Sequence, residues 1–433
     1  MTNSLVIRGA RILPMEPGLG DPGRADILID HGRIAGIGPD LATAAPEIDA
    51  SGCLAIPGFV DTHRHMWQAT LRGSAPHHTL AEYFATILER IGPALTPADL
   101  YLGNLLSAYA ALDAGITTVQ DISNIQDRPA ASDALVQALR DSGIRAVFAY
   151  GNSFPRAKSH GAALGDDVRR VRAELLPDDD ALVTLALVTE PGDDDAERHN
   201  ARLADELGVR TARHVVHRHH GEGPVSRLRA LGVLRPGTTF IHGTGLDAAE
   251  LDLIAAGGGS LSIAPAVELV MGHGHPPFAA AARAGVPVSL STDVEVTVAA
   301  DLFTQMRAAY QVARHDELSA GGPGTTVAAV LRHATLDGAR ALGLSATTGT
   351  LTPGRQADIV LLRADGVGVA PVHDPYSTVT QQMDRAHVDT VLVAGRVVKR
   401  HGRLLADVEA HLEAAERLKA RLSTAGLVPE LIG

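Results

Sequence analysis

Apolar and polar positions alternate in two rhythms along the 433-residue chain. Over roughly 3–56 the apolar runs are short and rich in β-branched residues: Ser4–Ile12, Ala25–Ile29, Arg33–Ile37 and Leu54-Ala55-Ile56. Turn signals such as Asp30-His31-Gly32 divide them. The same rhythm returns at Ala357–Leu362, Thr390–Val393 and Arg396–Lys399. Two all-β stretches around a long middle predict one small β-sandwich domain, built from 1–56 together with 349–403.

The middle follows a longer period. Strand-like runs at Phe59–His65, Thr117–Asp121, Ile144–Ala149, Leu182–Val188, Val209–His214, Thr238–His242, Gly259–Ile263 and Val286–Ser291 alternate with amphipathic, helix-length segments. Ser132–Asp141, Ala196–Leu207, Ala248–Ala256 and Ala299–Ala313 are examples of the latter. Eight strand–helix repeats predict an α/β fold, a (β/α)8 TIM-like barrel over 57–348. An open doubly wound sheet is the alternative, but no Gly-rich dinucleotide loop follows the first strand. Residues 404–433 read as a helical tail, with the helix at His411–Leu422.

Composition narrows the function. Hydrophobic residues make up 45% and charged residues 20%, as in ordinary globular proteins, and the net charge of −12 is spread along the chain. Nucleic acid and anionic membranes both need a positive surface, so neither is expected as a partner; a small molecule is. Cys53 is the only cysteine, which rules out an intramolecular disulfide and a thiolate metal cage. A single thiol and an N-terminus without a basic start and apolar run fit a cytoplasmic protein. No run of 18 apolar residues is present to span a bilayer.

The strongest local signal is Pro57-Gly58-Phe59-Val60-Asp61-Thr62-His63-Arg64-His65. Alternate side chains of a strand share a face, so His63 and His65 point together into the barrel mouth while Arg64 points behind. Two imidazoles there make a natural pair of metal ligands. His214, His242 and Asp293 fall at the ends of the fifth, sixth and eighth expected strands, bringing four histidines and an aspartate to one rim.

These residues resemble the amidohydrolase superfamily, in its cytosine deaminase and chlorohydrolase-like branch. The resemblance covers nearly the whole chain, through ADILIDHGRIAGIGP at 25–39, PGFVDTHRH at 57–65 and GARALGLSATTGTLTPGRQADIVLL at 338–362. It implies that His63, His65, His214 and Asp293 hold a metal, with His242 beside the substrate. Binuclear relatives bridge their metals with a carboxylated lysine on the fourth strand. Lys158, Lys399 and Lys419 are the only lysines and none is on a barrel strand, so one divalent ion is expected. Glu190, at that strand's end, could substitute as a carboxylate, but a mononuclear site is the expectation. Zinc suits three imidazoles and one carboxylate; Fe2+ or Mn2+ also fits such donors. Relatives commonly form dimers or tetramers, which makes a homo-oligomer a further implication.

Such an ion would supply hydroxide near neutral pH. Asp293 is then the expected general base and acid, and His242 the stabiliser of developing charge. Deaminases of this branch carry His-x-x-Glu on the fifth strand, but here the motif is His214-Val215-Val216-His217. His217 therefore stands as a candidate acid–base group, with a packing or loop role as its competing reading. Glu268, after the seventh strand, is a candidate replacement for the missing carboxylate. His273 in the same loop, and Trp67 and Gln68 after the first strand, are candidate substrate contacts; Trp67 has barrel-rim packing as its competing reading. His219, His220 and Glu222 lie in a loop expected near the site. Glu295 reads as either a supporting or a catalytic carboxylate.

The expected activity is metal-dependent hydrolysis of a non-peptide carbon–nitrogen bond in a small cyclic or heteroaromatic molecule, by deamination or cyclic-amide opening. A metal-dependent lyase or hydratase on the same scaffold is the alternative. A non-catalytic assembly protein is disfavoured because the ligand set is complete.

Overall fold

A computed structural model describes residues 4–19, 22–216 and 223–428. By internal contacts the chain divides into two compact units. One comprises Met1–Asp61, Ala110–Thr118 and Asp301–Ala406; the other comprises Thr62–Tyr109, Val119–Ala300 and Asp407–Gly433. Residues 301–348, expected with the barrel, thus group by contact with the terminal segments.

The first unit contains one nine-stranded sheet drawn from both termini. Its strands are β1 (Leu5–Ile12), β2 (Arg24–Asp30), β3 (Arg33–Gly38), β4 (Glu47–Asp49) and β5 (Cys53–Pro57) from the N-terminal part. From the far end come β14 (Ile359–Arg363), β15 (Val388–Val393), β16 (Arg396–Arg400) and β17 (Arg403–Leu404). The termini meet where β14 pairs antiparallel with β5, Ile359 opposite Pro57 and Leu361 opposite Ala55. Ile7, Ile27, Ile29, Ile359, Leu361 and Leu392 are buried in one apolar cluster, so neither terminal segment has a complete core alone. Gly58 follows β5 because a Cβ there would come within 2.0 Å of the Thr117 hydroxyl.

The barrel strands are β6 (Phe59–Arg64), β7 (Ile116–Gln126), β8 (Arg145–Asn152) and β9 (Val183–Val188), then β10 (Arg210–Val216), β11 (Thr239–Thr244), β12 (Ser260–Ile263) and β13 (Val288–Leu290). Sequence neighbours are sheet neighbours throughout. Each expected strand has its counterpart, though β13 ends at Leu290, three residues short of Asp293. Closure comes from just beyond that point. The Asp293 N–H donates to the His63 carbonyl at 2.9 Å, and the His65 N–H donates to the Asp293 carbonyl at 3.0 Å. These two bonds place residues of the first strand and the eighth-strand segment at one rim.

The expected tail helix runs Glu409–Thr424. Ala414 and Ala415 pack on Ala69, Leu102 and Leu106, and Arg421 pairs with Asp99 at 2.5 Å. Among the described residues no helix is long and apolar enough to cross a membrane.

Candidate active site

Four imidazoles and one carboxylate converge at the barrel mouth. The Nε2 atoms of His63 and His65 lie 3.1 Å apart, and those of His63 and His214 lie 3.3 Å apart. Asp293 Oδ1 is 3.5 Å from His63 Nε2 and 3.6 Å from His65 Nε2. His242 Nε2 is 3.9 Å from Asp293 Oδ2. Two overlapping sets are close enough to share an ion: His63, His65 and His214, and His63, His242 and Asp293.

The backbone brings the donors inward. His63 and His65 share a strand face, as their spacing requires. His242 and Asp293 adopt left-handed backbone, with φ of 71° and 61°. Non-glycine residues seldom occupy that region, and such outliers concentrate at functional sites. Left-handed backbone at these two positions is not legible in strand periodicity.

Oxygen atoms behind the rings fix their orientation. His65 Nδ1 meets the Ile122 carbonyl at 3.1 Å and Asn124 Oδ1 at 3.0 Å. His214 Nδ1 lies 2.6 Å from Glu190 Oε1, and His242 Nδ1 lies 3.0 Å from Glu268 Oε1. With Nδ1 engaged on the outside, each ring turns Nε2 inward, the arrangement that orients metal-binding histidines.

The donor set fits a divalent cation. Burial, followed by the neighbouring rings of His65, His214, His242 and His273, holds His63 well below the ordinary histidine pKa. Burial and His214 bring His65 down to about 3. Both are neutral near pH 7 and offer lone pairs. Burial also opposes charge on His214, but Glu190, by proximity and hydrogen bonding, and then Asp293 raise it. Ligands about 2.0–2.1 Å from a tetrahedral ion stand about 3.3 Å from one another. The contacts among His63, His65 and His214 match that spacing.

The cluster opens into a cavity of about 510 Å³. His65, His214, His242, His273 and Asp293 all line it. His273, expected to touch substrate, is therefore at the cavity wall, its ring 4.7 Å from that of His242. Two other candidate residues lie elsewhere. Trp67 and Gln68 are fully buried and do not line the cavity. Trp67 donates from Nε1 to Asn124 Oδ1 at 3.2 Å, and its backbone packs so closely on Gly103 that a Cβ there would lie 2.3 Å from the Trp67 carbonyl. Gln68 donates to the Tyr83 hydroxyl at 2.6 Å, and it is Tyr83 that reaches the cavity. Both residues stand one layer back because the turn Met66–Leu71 carries the chain away from the mouth.

Glu268 also lies behind the cavity wall. It is fully buried and its Oε1 accepts the Ala264 N–H at 2.9 Å while meeting His242. This position sets Glu268 against the His242 ring, outside the cavity lining. Burial pushes its carboxyl well above the usual range, against the Ala264 hydrogen bond. Glu190 lies on the outer side of His214, not between metal ligands. His217, His219, His220 and Glu222 are outside the described residues. Sequence reasoning missed Asn124, which joins His65 to Trp67; its position eight residues after the start of β7 was the available signal.

Arg64 and Glu295 form a network on the opposite face of the strand. Arg64 donates to Glu295 Oε1 at 2.8 Å, to the Ser107 hydroxyl at 2.8 Å and to the Ala300 carbonyl at 3.0 Å. Arg72 pairs with the other Glu295 oxygen. Glu295 is thus a supporting carboxylate, held below the usual range by Arg64 and Arg72 despite the opposing effect of its burial.

Comparison with known proteins agrees with this architecture. Residues 54–398 match the model of the amidohydrolase family. A 5-methylthioadenosine/S-adenosylhomocysteine deaminase of Symbiobacterium thermophilum is 31% identical, over 91% of this chain and 93% of the relative. A 5'-deoxyadenosine deaminase of Methanothermobacter thermautotrophicus is 30% identical, over 97% and 99%. Among solved structures, an adenosine deaminase from Xanthomonas campestris with bound zinc aligns with a TM-score of 0.84 at 24% identity, covering 97% of this chain and 98% of that one. The atrazine chlorohydrolase of Arthrobacter aurescens, in complex with zinc and atraton, aligns at 0.85 and 25%, covering 96% and 99%. On the family match across most of its length, this chain belongs to the amidohydrolase family.

Proposed function

We propose that the protein deaminates an adenosine-type nucleoside, replacing the exocyclic amine of the purine with oxygen and releasing ammonia. The observation that carries this reading is the cluster of His63, His65, His214, His242 and Asp293 at the inner end of a cavity large enough for such a molecule. The deaminase relatives at 30–31% identity, aligned over nearly the full chain, supply the choice of ring.

His63, His65, His214 and Asp293 would hold one divalent ion, with zinc the metal that three imidazoles and a carboxylate suit best. When bound, it supplies Lewis acidity that makes water acidic enough to serve as a nucleophile near neutral pH. Asp293 accepts a proton from the attacking water and returns it to the departing nitrogen. His242, steadied by Glu268, presents Nε2 to the charge developing at the attacked carbon. His217 would take the place of the usual glutamate, delivering a proton to the ring nitrogen and recovering one from the hydroxyl on the attacked carbon as ammonia departs. Overall, water and an aminopurine give a hydroxypurine and ammonia, with every proton accounted for.

The test is ammonia release by metal-loaded protein across adenosine, 5'-deoxyadenosine, 5-methylthioadenosine, aminotriazines and cyclic amides. Turnover of a nucleoside is expected. Ring opening of a cyclic amide, with no ammonia from any amino-heterocycle, would replace deamination with cyclic-amide hydrolysis.

A further inference from the structure

Away from the imidazoles, the character of the cavity changes. Leu80, Phe84, Leu88, Phe154, Ala157 and Met271 form an apolar wall. The rings of Phe84 and Phe154 stack, with centroids 5.3 Å apart and planes at 29°. An ion pair of 3.0 Å between Lys158 and Glu89 fastens the same two segments. Neither residue is fully buried, and both line the cavity.

The carboxylates on the described lining are Glu190, which pairs with His214, Asp193, and Asp293, a proposed ligand of the divalent ion. Lys158 is the only lysine or arginine among the described lining residues, and its ammonium is engaged by Glu89. An anionic group resting on the apolar wall would lose hydration and, among the described lining lysines and arginines, would find only Lys158, already paired with Glu89.

We propose that the substrate portion remote from the reacting carbon is an uncharged, apolar substituent resting on Phe84 and Phe154, and that a carboxylate-bearing substituent is disfavoured there. This rests on the deaminase reading and selects within it. The relatives' shared name joins two molecules that differ at this end: a methylthio group in one, a homocysteine zwitterion in the other. The wall of this chain fits the first.

Steady-state kinetics on the metal-loaded protein test the assignment with 5-methylthioadenosine, adenosine and S-adenosylhomocysteine. One methylene-sized group in an apolar pocket is worth roughly 10- to 200-fold in kcat/KM. The methylthio substrate should therefore exceed adenosine by about tenfold or more, with S-adenosylhomocysteine below both. Phe154→Ala should collapse the methylthio-to-adenosine ratio, an internal comparison that a general loss of folded protein does not alter. Equal or better turnover of S-adenosylhomocysteine overturns the proposal. So does Lys158→Gln that loses that substrate selectively, because the lysine would then be reading an acidic tail. If no nucleoside reacts, the deaminase reading fails separately. The wall is then tested on whichever ring releases ammonia, by comparing its N-alkyl and N-carboxyalkyl forms, and preference for the carboxyalkyl form overturns it.

Discussion

On the inner face of the first barrel strand, His63 and His65 crowd against two further imidazoles and a carboxylate; on the outer face, Arg64 meets Glu295, Ser107 and main-chain carbonyls. Both faces are buried, yet burial acts on them differently. Outside, opposite charges and aligned donors offset desolvation, and Glu295 stays ionised between two arginines. Inside, burial first and neighbouring imidazoles second depress the proton affinity of His63 and His65 and leave their lone pairs pointing at a common centre. The outer network is complete within the protein chain, whereas the inner cluster is arranged for a cation. Because the bond between Asp293 N–H and the His63 carbonyl joins the same two segments that Arg64 and Glu295 join, the outer network holds the inner donors in register.

The contrast can be broken from either side. Asp293→Asn removes the group assigned to proton transfer and should lower kcat by roughly 10²- to 10⁴-fold; activity within a few-fold of the parent would remove Asp293 from that role. Next in size, Glu295→Ala leaves Arg64 buried without its carboxylate and should cost about 3–5 kcal/mol of stability, measured by urea unfolding of metal-free protein. Chelation should act on the opposite face. Restoring zinc to stripped protein at about a thousand times its Kd should stabilise it by about 4 kcal/mol. That gain should vanish in His63→Ala, and a parent protein whose unfolding ignores added metal would contradict the proposed ligand set.

Smaller effects separate orientation from chemistry. Glu268→Ala should reduce kcat by roughly 10- to 100-fold by freeing the His242 ring. Glu268→Gln, which keeps an oxygen for the Ala264 N–H and for Nδ1, should stay within a few-fold. A large loss in the glutamine variant would mean that Glu268 itself moves protons. Arg72 is 40% exposed at its side chain and pairs with Glu295 from the rim, so Arg72→Gln should cost under about 1 kcal/mol in the same unfolding experiment. The difference between Arg72→Gln and Glu295→Ala measures how much of the network depends on burial.

Much of this organisation was legible in the sequence. Strand-to-helix alternation gave the barrel, and the period of two placed His63 and His65 on one face with Arg64 on the other. The terminal sheet was legible because its short β-branched runs occur at both ends of the chain. The burial of Trp67 and Gln68 was not legible, because proximity to a ligand in sequence does not determine direction once the strand ends at the turn Met66–Leu71. Glu268, read as a candidate replacement carboxylate, faces His242, a direction set by the helix Pro265–Val270 and the Ala264 N–H.

The sequence by itself determined the class of fold and the residue types able to bind a cation, since hydrophobic period and ligand chemistry are local properties. Only tertiary structure decided which nitrogen of each ring faces inward, that Asn124, Glu190 and Glu268 hold those rings, and that Phe84 and Phe154 form one wall. Those outcomes depend on groups tens of residues apart meeting at hydrogen-bond or van der Waals distance. Such meetings follow from how strands close and loops pack, which no single segment encodes.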